Sequence, residues 1–375
     1  MENRRRIVVY DVNYPSPDNL YGDVFVQSRL LKYKKHCDII VLNHGKKTSK
    51  YTYLDINVEI YDSKDDIFKR ISDFKPDVLI IHFYPGILFD SFMKKNNIPT
   101  FIWVHGYEAL GWYRRLFNFK LKELFHFSLY MLNNIVQLYF MRKVIGLSNS
   151  GKNIQFVFVS NWMRKIAEKD MHIKVDKYKI IPNPIDTKLF EYKPKLGEQR
   201  KKILLIRSFD SSKYANDIAI NALLLVSKKR FFRELQITIC GKGKLFDSLT
   251  QPLKKFPNVV LVNTFIPNCE IPNLHKSHGV FLCPTRQDAQ GVSMCEAMSS
   301  GLVPITSNNT AIPEFVNSDC GYLTESIDDI VKALEELYYN ESIFLEKSKK
   351  AHLHIAQISG DAAVIEQEIK MILNA

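Results

Sequence analysis

Cysteine is sparse and unpaired: Cys37, Cys240, Cys269, Cys283, Cys295 and Cys320 are spread through 375 residues without a Cys-x-x-Cys pair. That spacing excludes a disulfide framework and a thiolate zinc site, and the cysteines in apolar runs read as buried thiols of a reducing compartment. No His, Cys or Asp cluster at tight spacing offers a metal centre. Solenoid-length repeats and low-complexity tracts are also missing. The apolar run behind the basic start MENRRR, Ile7 to Tyr10, is only four residues long, too short for a secretory signal, so the expected location is the cytoplasm.

What is present is a chain that is 46% apolar and longer than one core usually holds, which predicts two α/β domains. In the first half, apolar runs at Ile7 to Tyr10, Ile39 to Leu42, Val78 to His82, Phe101 to Val104 and Phe156 to Val159 alternate with helical patterns. The second half repeats the alternation at Ile203 to Ile206, Leu235 to Cys240, Val259 to Val262, Gly279 to Cys283 and Val303 to Thr306. Such alternation is the signature of doubly wound parallel sheets. Pro182-Asn183-Pro184-Ile185-Asp186 and the polar stretch after it place the first domain at 1–186, a linker at 187–201 and the second domain at 202–357. Residues 358–375 close the chain with a helical apolar pattern.

Charge is shared unevenly. Residues 1–190 hold 30 Lys and Arg against 19 Asp and Glu, or +11, whereas residues 191–375 hold 22 against 21, or +1. A one-sided basic surface suits a polyanion or an anionic membrane, although a solvated face that keeps the protein in solution has the same composition. The segment 113–143 favours the membrane. It is rich in Phe, Leu and Tyr, is bounded by Arg114, Arg115, Arg142 and Lys143, and has 18 residues without formal charge from Leu124 to Met141. On a helical projection Asn118, Lys122, Glu123, His126, Asn133, Asn134 and Gln137 share an arc of about 160°. An interfacial helix pair on a membrane is the first expectation, a buried or oligomer-forming element the second and a true span the third.

The most informative stretch is Phe281 to Thr306, FLCPTRQDAQGVSMCEAMSSGLVPIT. It reads as strand, polar loop with Asp288, tight turn at Gly291, helix bearing Glu296, helix stop at Gly301 and a second strand. The N–H groups at Gly291, Val292 and Ser293 form an anion site suited to phosphate. Glu296, a little over one turn further in, is placed to accept from hydroxyls on the same ligand, as a ribose beside a diphosphate would supply. An ordinary α/β crossover with an acidic loop is the competing reading. Asp288, seven residues, Glu296-Ala297-Met298, Gly301 and Pro304-Ile305 resemble the nucleotide-sugar motif of the family 4 retaining glycosyltransferases, whose first acidic position is Glu where this chain has Asp.

The resemblance implies a GT-B fold: two facing Rossmann-like domains, with a C-terminal helix crossing back onto the first. It implies that Glu296 binds the ribose and that Asp288, shorter by about 1.5 Å, contacts the transferred sugar. Arg207, after the first strand of the second half, and Lys213 lie where such folds bind ligands at the carboxyl ends of strands; the family places a matching pair on the donor diphosphate. His105, in Val104-His105-Gly106, matches a strand-end histidine that reaches the donor sugar, although a single His in an apolar setting is more often a core residue. Ser160 resembles a family serine. In Tyr21-Gly22-Asp23, where relatives have paired glycines, Gly22 permits close backbone approach to phosphate, and the same loop can instead shape the acceptor site. Cys240-Gly241-Lys242-Gly243 resembles a family Gly-x-Gly turn, with a plain tight turn as the default. Pro184 stands where Gly is frequent and stiffens the hinge.

The resulting expectation is a retaining, metal-independent transfer of a sugar from a nucleoside diphosphate, with UDP the commonest nucleotide, and no cofactor beyond that donor. The acceptor would be a saccharide hydroxyl, lipid-linked in capsule, O-antigen or other surface polysaccharide synthesis, with the enzyme peripheral on the inner face of the plasma membrane. A sugar-nucleotide epimerase on the same fold, and a non-catalytic membrane or nucleic-acid binder, are the rivals. No nucleic-acid partner is expected, because the basic half has no recognisable nucleic-acid module.

Overall fold

The computed structural model of the protein describes residues 4–17, 19, 22–119 and 124–375; Tyr21, Lys122 and Glu123 lie outside these. It divides into two units, Met1–Pro184 with Ala362–Ala375, and Ile185–Asp361.

The first unit runs β1 (Arg5–Tyr10), α1 (Val24–Tyr33), β2 (Cys37–His44), β3 (Ser49–Tyr53), β4 (Ile56–Tyr61), α2 (Lys64–Phe74), β5 (Val78–His82), α3 (Gly86–Lys95), β6 (Thr100–Val104), α4 (Leu124–Asn149), β7 (Ile154–Phe158), α5 (Asn161–Met171) and β8 (Tyr178–Ile180). The sheet order is β3-β4-β2-β1-β5-β6-β7-β8. All residues of β5 and β6 are buried, as strands covered on both faces must be. β3 pairs antiparallel with β4, so the sheet is not wholly parallel as expected. Leu54 and Asp55 between them both have positive φ, 45° and 60°, which suits a two-residue hairpin turn of the type that matches strand twist. The polar pattern SKYTY, exposed at the sheet edge, carries no apolar run to announce it.

The second unit runs β9 (Lys202–Ile206), α6 (Asn216–Val226), β10 (Gln236–Cys240), α7 (Phe246–Thr250), β11 (Val259–Val262), α8 (Ile271–Ser277), β12 (Val280–Leu282), α9 (Val292–Ser299), β13 (Val303–Ser307), β14 (Tyr322–Thr324), α10 (Ile327–Tyr339) and α11 (Glu341–Ser359). Its sheet order is β11-β10-β9-β12-β13-β14, with every pairing parallel. Ser326 and Asp329 form a reciprocal capping box at the start of α10. The segment 187–201, expected as a linker, packs into this unit instead. Lys195 is buried with Nζ donating to the His275 carbonyl at 2.6 Å, and the Tyr192 ring stacks on His352 at 4.4 Å. Its prolines and charges mark irregular backbone, which can still be packed.

The last helix, α12 (Asp361–Leu373), returns to the first unit. Val364, Ile365, Met371 and Ile372 join the core formed by β1, β5 and α1. Glu368 is fully buried there, accepting from Arg29 Nε at 3.0 Å and from the Tyr33 hydroxyl at 2.5 Å. Burial and the Glu368 charge push the Tyr33 phenol well above its usual range. Removing one partner of a buried pair strands the other charge. Glu368→Ala is therefore expected to destabilise the first unit by about 3–5 kcal/mol, read by urea unfolding, whereas Arg29→Met with Glu368→Leu should recover most of that loss.

Candidate functional site

In the second unit the strand order reverses at β9, so the carboxyl ends of β9 and β12 flank the point where the chain splays apart. Arg207 leaves the end of β9, and the loop carrying Asp288 leaves the end of β12. Arg207 is buried, with Nη1 3.9 Å from Asp288 Oδ2 and Nη2 3.5 Å from the Cys283 carbonyl. Its guanidinium lies 5.5 Å from the centre of the Tyr214 ring, and Lys213 Nζ lies 5.3 Å from the same ring. Both predicted cations thus lie within reach of one aromatic ring. Arg286, forked on Asp217 at 2.6 and 2.8 Å, also donates to the Ser212 carbonyl and holds this turn in place.

Asp288 is occupied locally. Its Oδ1 accepts from the Gly291 N–H at 2.9 Å and the Gln290 N–H at 3.4 Å. The shorter side chain folds back onto its own loop and takes one of the N–H groups that the sequence reading assigned to an anion. Gly291, with φ of +79°, caps α9 without a side chain, so the first-turn N–H groups of Val292 and Ser293 have no intrahelical acceptor. Glu296 lies one turn in. Burial lifts its carboxyl to about 8 against the opposing pull of Arg207, so it carries a proton at neutral pH. The helix ends as expected at Gly301, φ +81°, where Leu302 N–H bonds the Ala297 carbonyl and Gly301 N–H the Met298 carbonyl, both at 2.9 Å.

The first unit has its own reversal point, between β1 and β5. His82 ends β5 and His105 follows β6. His105 Nε2 lies 2.9 Å from His82 Nδ1, and its ring packs between Phe25 and Phe83 at 4.9 and 4.6 Å. Glu108, buried in the next turn, accepts from the His105 and Gly106 N–H groups at 2.5 and 3.0 Å, and burial raises its carboxyl to about 7. Gly22 sits against the chain just after β1: a Cβ there would lie 2.2 Å from the Asn13 carbonyl oxygen, so this close approach requires glycine. Ser160 caps α5 by accepting from the Met163 N–H, a structural task.

The sequence reading missed Tyr214, His82 and Glu108. His82 was legible as the last residue of an apolar strand; Tyr214 and Glu108 have no pattern to mark them, because their roles depend on neighbours brought in by folding.

The segment 113–143 departs from its expected arrangement. Residues Trp112–Asn118 form short 3₁₀ turns, and α4 follows as one helix. Two of its polar residues turn inward: Asn134 is buried, donating to the Leu110 carbonyl, and Gln137 bonds the Tyr84 carbonyl and the Gly86 N–H. The exposed side presents Phe125 (71% exposed), Leu129, Leu132 (56%), Ile135, Val136 and Tyr139 (55%) beside the exposed His126, Ser128 and Asn133. Of the four bounding cations, Arg114 is forked on Asp170 at 2.6 Å, and Lys143 stacks on Tyr139. Among the described residues no helix is long and apolar enough to cross a membrane, which removes the spanning alternative. No metal-holding group of His, Cys, Asp or Glu occurs among the described residues.

Comparison with curated protein sequences found no match. Two family models do match: "Glycosyltransferase Family 4" over residues 59–189 and "Glycosyl transferases group 1" over residues 200–340. The fold is shared with sucrose-phosphate synthase of Thermosynechococcus elongatus (TM-score 0.74, 11% identity, 99% of each chain covered). It is shared too with HepE of Anabaena in complex with UDP and glucose (TM-score 0.71, 13% identity, 99% of this chain and 100% of that one). A glycosyltransferase of Rickettsia africae also matches (TM-score 0.68, 14% identity, 99% of this chain and 98% of that one). With both halves matched in order and two parallel-sheet units of the GT-B kind, the chain belongs to the family 4, group 1 glycosyltransferases.

Proposed function

We propose that the protein is a retaining glycosyltransferase that moves a sugar from a UDP-sugar to a hydroxyl of a lipid-linked saccharide at an anionic membrane surface. The observation that carries the donor half is the convergence of Arg207, Lys213, the open start of α9 and Glu296 at the reversal point of the second sheet. Two cations and a helix N-terminus match a diphosphate, and their fixed charge favours its departure without a metal ion. Glu296 pairs with ribose hydroxyls. His105 is the catalytic residue we assign in the first unit, and Asp288 acts on the transferred sugar through the loop it braces. The solved relative that holds UDP and glucose supports a UDP-sugar as donor.

We assign retention to attack on the face from which the diphosphate leaves; among the described residues of the second-unit site no further carboxylate stands beside Asp288 and Glu296 to act as a nucleophile. A sugar-nucleotide epimerase would need further acid and base groups, and the second-unit site shows none beyond those named. A non-catalytic binder would leave the Arg207, Lys213 and Glu296 grouping without a use.

The exposed apolar residues of α4 carry the membrane half. An outward apolar face flanked by Arg142 and Lys143, with no acidic residue between Leu124 and Asn149, suits anionic lipid. A membrane-held acceptor fits such a surface, and surface polysaccharide synthesis is the setting we assign.

UDP should raise the melting temperature of the purified protein, with Glu296→Ala cutting the shift and GDP, ADP and CMP giving less. No shift with any of the four at millimolar concentration would overturn the donor assignment. Glu296 also predicts a pH dependence. Its folded value of about 8 exceeds its unfolded 4.5, so the native state holds the extra proton and this stabilisation is lost as pH rises through 8. Relative to Glu296→Gln, the wild type should lose melting temperature between pH 5 and pH 9; parallel curves would refute the assignment. Co-sedimentation with phosphatidylglycerol vesicles should fall roughly 10–100-fold in Leu132→Asp, the loss expected for one buried Leu, and binding to phosphatidylcholine vesicles should be weak throughout.

A further inference from the structure

A diphosphate at the second-unit site has to be met by groups that belong to different connections. Arg207 and Lys213 come from the loop after β9, and the open start of α9 comes from the loop after β12. Charge alone does not set the spacing between them, so the two loops must be held in register. The β12 loop is firmly anchored. Thr285 N–H donates to Ser307 Oγ at 3.0 Å, and Asn309 Nδ2 donates to the Thr285 carbonyl at 2.8 Å, which pins the loop to the end of β13 and the residues beyond it. The Lys213 side has less of its own. It is a single 3₁₀ turn, Ser212–Tyr214, and the chain leaves it through buried Ala215 at φ +49°, a left-handed conformation unfavourable for a residue with a side chain.

Arg286 joins the two loops. Its N–H donates to the Lys213 carbonyl at 2.8 Å, and Thr285 Oγ1 donates to the same oxygen at 3.2 Å. Its guanidinium donates to the Ser212 carbonyl at 2.8 Å and forks on Asp217, in the first turn of α6, at 2.8 and 2.6 Å. One side chain therefore crosses from the anchored loop to the turn and to the helix behind it. The two cations are engaged differently. Arg286 directs its guanidinium at protein groups, whereas Lys213 Nζ has the Tyr214 ring at 5.3 Å and, among the described residues, no ion-pair partner. A free ammonium on a turn that a protein-bound arginine holds has the arrangement of a ligand group and its support.

We propose that Arg286 and Asp217 are positioning residues, a clip that fixes Lys213 relative to the start of α9 and thereby sets the preference of the site for a nucleoside diphosphate over a monophosphate. The ligand half rests on the glycosyltransferase reading above; the bracing of the turn does not. The clip makes a distinctive demand on Asp217. As a bare negative charge it opposes an anion, and its removal would tighten UDP binding; as half of the clip, its removal loosens UDP binding. The two effects have opposite sign.

Hydrogen–deuterium exchange of the full-length protein tests the bracing without ligand. Peptides covering residues 208–217 should exchange roughly 10-fold faster in Asp217→Ala and in Arg286→Leu than in wild type, as for loss of one charge-assisted hydrogen bond. Equal exchange in the folded variants overturns the clip, whatever the protein transfers. Titration with UDP and UMP tests the ligand half. Wild type should gain affinity from the second phosphate, and Arg286→Leu and Asp217→Ala should each cut that gain by roughly 3–10-fold. Arg286→Lys keeps the charge but cannot fork on Asp217 and reach Ser212 together, so it should lose nearly as much. Because the clip acts through Lys213, Arg286→Leu should add less than about 2-fold to the loss in Lys213→Ala. UDP bound by Asp217→Ala as tightly as by wild type, or more tightly, overturns the positioning role, as do losses that multiply in the double variant. No gain of UDP over UMP in wild type overturns the ligand half, whatever the exchange shows.

Discussion

A parallel sheet covered on both faces has no room for chemistry along its strands, and this exclusion organises each half of the molecule. β1, β5 and β9 are apolar because helices close over both sides. Polar groups with work to do must wait until the strand ends. They collect where successive connections diverge, since only there does a crevice open. In the second unit that point receives Arg207 and the Asp288 loop; in the first it receives His82, with His105 one strand further along.

Charge in these places is tolerated because each group is braced. Arg207 keeps Asp288 at 3.9 Å and leans on the Tyr214 ring, while Glu296, with less opposing charge, stays protonated. Asp288 is turned onto its own loop, where it bonds the Gly291 N–H that begins the helix turn. The buried Glu368 is handled more conventionally, with Arg29 and Tyr33 both donating to it, and this fastens the last helix to the first unit.

Helix α4 buries Met141, Val144 and Ile145 as an amphipathic helix does, yet it also turns two amides inward. Asn134 and Gln137 point inward because carbonyls at Tyr84 and Leu110 and the N–H at Gly86 need partners, and an unpaired buried backbone group is costly. Large apolar side chains are then left outside, where water offers them nothing. A helical projection cannot foresee this, since it assumes that polar residues face solvent. Of the arc through Asn118, Lys122, Glu123, His126, Asn133, Asn134 and Gln137, His126 and Asn133 are exposed, Asn134 and Gln137 turn inward, and Lys122 and Glu123 lie outside the described residues.

The ten apolar runs named from the sequence all became strands, because a strand buried on both faces must be written in apolar residues. Strands β3, β4, β8 and β14 escaped notice: each is short and partly exposed, so none needed an unbroken apolar run. The Asp288 to Gly301 segment was legible for a related reason, as a strand, turn, helix and strand in one local unit fix their own geometry. By itself the sequence determined these local units and the two-part architecture. Only the tertiary structure decided which polar side chains of α4 turn inward, that two cations lie within reach of the Tyr214 ring, that residues 187–201 pack instead of linking, and that His82 meets His105. Those contacts join residues distant in sequence or set by neighbouring elements, and periodicity carries no record of them.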